Sequence, residues 1–168
     1  FQPLLELASG TIDELSKQHQ RRIVKIAGIC GKTSQAVNEA DTAQSLGYDL
    51  GLLSLAAMKN STEDQLLHHC KEVSKVIPLM GFYLQLASGG IPLPFSFWRR
   101  FVEIPNVIAI KIAPFNRYQT LDVIRAVALS GKENEITLYT GNDDNIILDL
   151  LTPYSVTVGT EQKIVRIR

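Results

Sequence analysis

The chain has 168 residues, 45% of them hydrophobic and 20% charged, with seventeen basic side chains balanced by seventeen acidic ones. That length suffices for one globular domain with a buried core. Zero net charge leaves no electrostatic footprint for nucleic acid and no basic face for an anionic membrane, and no apolar run nears the ~18 residues of a transmembrane helix. Two cysteines, Cys30 and Cys70, make no disulfide scaffold and suit a reducing cytoplasm. The opening Phe1-Gln2-Pro3-Leu4-Leu5 lacks the charged start and cleavage site of a secretory leader. Because residue 1 is not methionine, a missing upstream segment is expected.

Apolar strands alternate with amphipathic helices. An opening helix is predicted over 12–21, then a strand over 23–29 and a helix from Ser34 to Leu46, ended by Gly47. The second strand covers 49–55. Its helix runs over 61–76, with Ser61 as N-cap, Glu63 and Asp64 in the first turn, and an apolar face of Leu66, Leu67, Cys70, Val73 and Val76. A third strand over 77–84 precedes a Gly- and Pro-rich loop (88–94) and a helix over 96–102. The fourth strand is Val107-Ile108-Ala109-Ile110-Lys111-Ile112-Ala113. A helix over 119–129, a strand over 135–140, a short helix over 145–151 and a last strand near Val156 complete the series.

Strand starts recur at roughly 26- to 30-residue intervals, the size of one βαβ unit. Nearly continuous apolar strands suit a parallel sheet covered by helices, so the fold class is α/β. A doubly wound sheet and part of a (β/α)8 TIM barrel compete. Gly28-Ile29-Cys30-Gly31-Lys32-Thr33 imitates a P-loop only at its end, since the glycine required five residues before its Gly-Lys-Thr is missing. A barrel gathers chemistry where strands end. Those ends carry Cys30 to Thr33, Ser54, Tyr83-Leu84-Gln85, Lys111 and Thr140-Gly141-Asn142-Asp143-Asp144. Alternation along the fourth strand puts Val107, Ala109, Lys111 and Ala113 on one face and Ile108, Ile110 and Ile112 on the other.

Lys111 lies inside an apolar run, where lysine is rare unless it is paired or has a task. A desolvated amine becomes available as a nucleophile, the equipment of a Schiff-base enzyme. The structural alternative is a strand-end lysine whose head group reaches solvent.

Several segments resemble the dihydrodipicolinate synthase and N-acetylneuraminate lyase family of pyruvate-handling class I aldolases. Ile26-Ala27-Gly28 opens a loop similar to the family's Ala-Gly-Thr-Gly turn, and 36–51 resembles the helix, loop and strand that follow it. Ile104 to Lys111 resembles the strand ending in Gly-Ile-Lys, whose lysine forms the imine with the keto acid. Thr140 to Asp144 resembles the Ser-Gly-Asp-Asp segment. The family's catalytic tyrosine lies 28 positions before its lysine, and Tyr83 lies 28 positions before Lys111. Aligning on Pro78 instead puts Phe82 in that slot. Tyr83 is the expected counterpart, because phenylalanine cannot shuttle a proton. The resemblance covers about residues 20–155 and implies strands three to eight of a TIM barrel in one partial domain over 1–168, with the N-terminal strands and C-terminal helices missing.

Departures are plain. The Gly-Thr-Thr-Gly-Glu segment that binds the keto-acid carboxylate has no counterpart, and the Tyr-Asn-Val-Pro-x-Arg-Thr loop reads Tyr83-Leu84-Gln85-Leu86-Ala87-Ser88-Gly89, without the arginine. Thr-Pro-Tyr-Tyr reads Ser54-Leu55-Ala56-Ala57. These changes speak against dihydrodipicolinate synthase itself and for a divergent branch. The resemblance implies a metal-independent carbon–carbon lyase or aldolase acting on pyruvate or a related 2-oxo acid. In it Lys111 forms the imine, Tyr83 relays protons, and Ser54, Gly141, Asn142 and Asp143 are candidate substrate-binding residues. No cofactor, nucleic acid or membrane is expected; a homo-oligomer in the cytoplasm is. The alternative is a non-catalytic relative with a decayed site, kept for assembly or ligand sensing.

Other residues have two readings each. Asp143 and Asp144 suit either Mg²⁺ or an N-cap for the helix at Asn145, and no partner set completes a metal site. His68, His69 and Cys70 are consecutive on a helix and cannot share one metal. Cys30 has no evident base. Phe95, Phe97, Trp98 and Phe101, beside Arg99 and Arg100, pack on the barrel wall or a neighbouring subunit. Arg117 and Tyr118 suit a substrate carboxylate or a solvated helix start.

Overall fold

The computed structural model describes residues 1–168 throughout. Its centre is a parallel sheet of β1 (Ile26–Ile29), β2 (Leu50–Leu53), β3 (Leu79–Leu84), β4 (Val107–Ala113) and β5 (Thr137–Thr140), in the order β1-β2-β3-β4-β5. Between them run α2 (Thr33–Ser45), α3 (Glu63–Ser74), α4 (Phe95–Phe101) and α5 (Arg117–Ser130), preceded by α1 (Gln2–Gln18). Strand order follows chain order with no reversal, which a doubly wound sheet would require. The main core joins one strand face to the helices: Ala27, Ile29, Leu53, Leu79, Tyr83, Ile110, Ile112 and Leu138 pack with residues such as Ala36, Val73, Trp98 and Val123. A separate small cluster, Leu50, Met80 and Ala109 with Leu52, marks the opposite, open face. Helices on one face of an in-order parallel sheet are a segment of a (β/α)8 barrel.

Gly81 shows how tightly α4 seats. A Cβ there would lie 2.7 Å from the Phe101 ring. Phe97, Trp98 and Phe101 are almost wholly buried in one aromatic cluster, with Trp98 5.1 Å from both Tyr83 and Phe97. They therefore pack on the sheet, and no subunit partner is needed to cover them.

The structure corrects several boundaries. The opening helix begins at Gln2, not at residue 12. Gly10 does not break it, since a mid-helix glycine costs only about 1 kcal/mol. Lys25 instead anchors α1: its buried ammonium meets Ser9 Oγ at 2.8 Å and Asp13 at 2.6 Å. The α3 cap is Thr62 rather than Ser61, in a reciprocal capping box with Gln65. A register irregularity at Leu79/Met80 opposite Val107–Ala109 turns Val107 into the helix-side core and leaves Ile108 exposed, reversing their predicted faces.

The expected last strand is not part of the parallel sheet. After α6 (Ile146–Leu151), β6 (Tyr154–Val158) and β7 (Glu161–Val165) form an antiparallel hairpin beside α5. The position next to β5 is taken by Ile167, bridged in parallel to Leu138, and Arg168 exchanges backbone hydrogen bonds with Leu138 and Thr140. No helix is long and apolar enough to cross a membrane.

Candidate active site

Register decides which side chains meet. Phe82 pairs with Lys111 across β3 and β4, and Lys111 pairs with Tyr139 across β4 and β5. Side chains at paired positions of parallel strands stand side by side on one face, at a spacing of about 4.8 Å. Phe82, Lys111 and Tyr139 thus form a row on the open face. Ser54, one residue beyond the Leu53–Gly81 pair, lines a small recess with Phe82 and Leu84 at the near end of that row. Its hydroxyl accepts a long bond from the Ala56 amide (3.4 Å).

Lys111 is half-buried. Its Nζ lies 5.1 Å from the centroid of the Phe82 ring and enters no ion pair or hydrogen bond. A cation over a ring face at such a partly exposed site gains about 0.5–1 kcal/mol. Gly141, just past β5, is packed too closely for a side chain: a Cβ there would stand 2.9 Å from Ala113 Cβ and 3.1 Å from Lys111 Cε. Its amide donates to Ile112 O at 2.7 Å, holding the loop against β4.

Tyr83 is not beside Lys111. Strand alternation turns it to the helix side, where it pairs with Ile112, packs on Trp98 and donates its hydroxyl to Leu93 O at 3.0 Å. Burial raises its pKa. The residue facing the lysine from β3 is Phe82, so the spacing of 28 placed the right strand but the wrong face. A one-residue difference in register reverses every side chain.

Asn142 and Asp143 also depart from expectation. Asn142 is buried and fully engaged: Oδ1 accepts from Phe115 N (3.0 Å), and Nδ2 donates to Thr120 Oγ1 (3.1 Å) and Asp149 Oδ2 (3.0 Å). It ties the loop after β5 to α5 and α6 and has no group left for substrate. Asp143 and Asp144 are exposed; neither side chain caps α6, whose N-cap is Asn145. No three His, Cys, Asp or Glu side chains converge on a point.

Asp149 was not singled out from the sequence. It is fully buried on α6 and accepts from Arg117, Tyr154 (3.1 Å), Thr140 (2.9 Å) and Asn142. Burial works against its charge, but the bonds from Asn142, Thr140, Arg117 and Tyr154 outweigh it and hold the carboxyl below its ordinary range. Arg117 is spent here, and Tyr118 is exposed. The α6 periodicity alone did not reveal this carboxylate, because its partners come from three other elements.

The strand-end cysteine is also accounted for. The Cys30 amide donates to Glu39 Oε2 (2.9 Å), so a carboxylate occupies the donor that a phosphate would need. Burial and the nearby Glu39 both raise the Cys30 thiol, which keeps it protonated. Buried His69 bonds Thr33 through Nδ1 (3.0 Å), while His68 is exposed. A cleft of about 880 Å³ lies between the starts of α2 and α3 and is lined by Lys32, Lys59 and His68 among others. It is an open polar groove that includes none of the Phe82–Lys111–Tyr139 row.

No family model matches the chain. It is 33% identical over 126 residues to the 4-hydroxy-tetrahydrodipicolinate synthase of Caldicellulosiruptor bescii, covering 73% of this chain and 40% of that protein. To the enzyme of the same name from a Sulfurihydrogenibium species it is 28% identical over 151 residues, covering 88% of this chain and 47% of the other. The chain thus spans less than half the length of the curated relatives it matches. Among solved structures, the chloride-inhibited dihydrodipicolinate synthase of Acinetobacter baumannii complexed with pyruvate superposes with a TM-score of 0.67 at 27% identity, covering 84% of this chain and 47% of that one. The 4-hydroxy-tetrahydrodipicolinate synthase of Methylacidiphilum fumariolicum superposes with a TM-score of 0.69 at 18% identity, over 86% and 45% of the two chains, a likeness of fold.

Proposed function

The chain belongs to the dihydrodipicolinate synthase family as a divergent relative, and from that premise we propose that it is a Schiff-base lyase or aldolase acting on pyruvate or a related 2-oxo acid, with Lys111 forming the imine. The observation that carries this reading is the setting of the lysine. It stands on the open face of the sheet at the C-terminal half of its strand, half-buried, without a carboxylate partner, with the backbone of Gly141 packed close against its stem. An amine so placed meets a carbonyl carbon without first breaking an ion pair. The imine then acts as an electron sink, so that a carbon–carbon bond beside it forms or breaks. This chemistry needs no metal.

The test is borohydride reduction of the full chain in the presence of pyruvate, followed by peptide mass spectrometry. The expected result is a stable adduct of the reduced keto acid on Lys111, absent from Lys111→Arg. An unmodified Lys111, or equal labelling of surface lysines, refutes it. A second reading, a relative that binds or assembles without turnover, draws on Phe82 standing where a proton-carrying group is expected. It predicts a folded chain with no adduct.

A further inference from the structure

We propose that Tyr139 is the proton-carrying residue of the Lys111 site: its phenol gives a proton to the oxygen of a bound 2-oxo acid as the imine forms, and then moves protons at the carbon beside that imine. The proposal rests on the reading of Lys111 as imine-former and adds the acid–base group that reading lacks.

The geometry comes from the sheet. Tyr139 is the register partner of Lys111 on β5, on the same face and one strand away. Extended tyrosine and lysine side chains have similar reach, so an amine that swings off the Phe82 ring, whose centroid lies 5.1 Å from Nζ, comes within reach of the phenol. The Tyr139 hydroxyl enters no hydrogen bond within the chain, and the residue is 51% exposed, so the group is free and reachable. The competing groups are committed elsewhere. Phe82, the partner on the other side, has no proton to give. Tyr83 spends its hydroxyl on Leu93 O in the helix layer. Thr140 faces that layer too and donates to Asp149. Ser54 is separated from Lys111 by the Phe82 strand. Gly141, two residues beyond Tyr139, lets the loop pack directly on Ala113 and the Lys111 stem, which holds the lysine beside β5.

The steps balance. The unprotonated Lys111 amine adds to the carbonyl carbon, the carbonyl π pair moves to oxygen, and that oxygen takes the Tyr139 proton. The phenolate recovers a proton from the new ammonium, giving a neutral carbinolamine. Tyr139 then protonates the hydroxyl, which leaves as water while the nitrogen lone pair forms the protonated imine. The phenolate next removes a proton from the adjacent carbon, leaving a neutral enamine and restoring the phenol. Every proton returns, and no oxidant or reductant is required. General acid–base help of this kind is worth about 10²- to 10⁴-fold in rate.

The test follows the methyl protons of pyruvate by proton NMR in D2O with the full chain, alongside borohydride trapping at saturating pyruvate and long incubation. The wild type is expected to exchange methyl protons for deuterium and to give the Lys111 adduct. Tyr139→Phe is expected to keep the adduct while its exchange rate falls about 100-fold, and Tyr83→Phe is expected to exchange like the wild type. A fall smaller than tenfold in Tyr139→Phe overturns the proposal and leaves the Lys111 reading standing. An adduct without exchange in the wild type also overturns it, since no proton carrier would then be acting. A wild type with no adduct at Lys111 overturns the Lys111 reading itself, and this proposal with it. The substituted ring is half-exposed and its hydroxyl unbonded, so Tyr139→Phe leaves the fold unchanged, which circular dichroism checks.

Discussion

Replacing Asp149 by alanine should destabilise the chain more than any surface change, because one buried carboxylate gathers α5, the loop after β5, α6 and β6. The side chain is fully buried and accepts four hydrogen bonds, one of them from a guanidinium. Removing one partner of a buried ion pair costs about 3–5 kcal/mol. Arg117 keeps about a third of its side chain in water and rehydrates, so the low end, about 3 kcal/mol, applies. For a chain of this size, about 2–4 °C of Tm per kcal/mol gives a fall of roughly 6–12 °C. The pH dependence has a definite sign. The folded carboxyl is held below its unfolded range, so its contribution is present above the unfolded value of about 3.9 and is lost as pH falls through the lower folded value. The gap between wild type and Asp149→Ala, read by thermal circular dichroism, is therefore widest near neutral pH and narrows toward pH ~3. A Tm fall below about 2 °C, or a gap that widens on acidification, refutes the reasoning.

Gly141→Ala puts a methyl into the contact with Ala113 and Lys111 Cε; overpacking of this kind costs about 1–3 kcal/mol, and the Lys111 adduct with pyruvate should form at least tenfold more slowly. Wild-type trapping rates in Gly141→Ala would show that this close contact does not position the lysine. Tyr83→Phe strands the Leu93 carbonyl and should lower stability by about 1 kcal/mol in urea titration, with trapping unchanged; loss of trapping in a folded variant would return Tyr83 to the chemistry. We also predict self-association through α6, which exposes Ile147 (67%), Leu148 and Leu151 (72%) side by side. Light scattering should show Ile147→Lys shifting the chain toward monomer, and an unchanged mass would rule that helix out.

The sequence by itself determined the alternation of strand and helix, the class α/β and the lysine strand, because these are local signals. Apolar runs of strand length, helical spacing such as Leu66, Cys70 and Val73, and the family-like approach to Lys111 all lie within a few residues of one another. Only the tertiary structure decided which residues face the amine. The expected tyrosine and its neighbour Phe82 differ by one position, and the strand pairing that sends Tyr83 to Leu93 and Phe82 to Lys111 also brings in Tyr139 from 28 residues downstream. The irregularity where β3 meets β4, and the antiparallel pairing of the last predicted strand with β7 instead of the parallel sheet, follow from the same cause. Register and long-range pairing are set by how whole strands pack, and a shift of one residue there reverses every face while changing almost nothing in the local pattern.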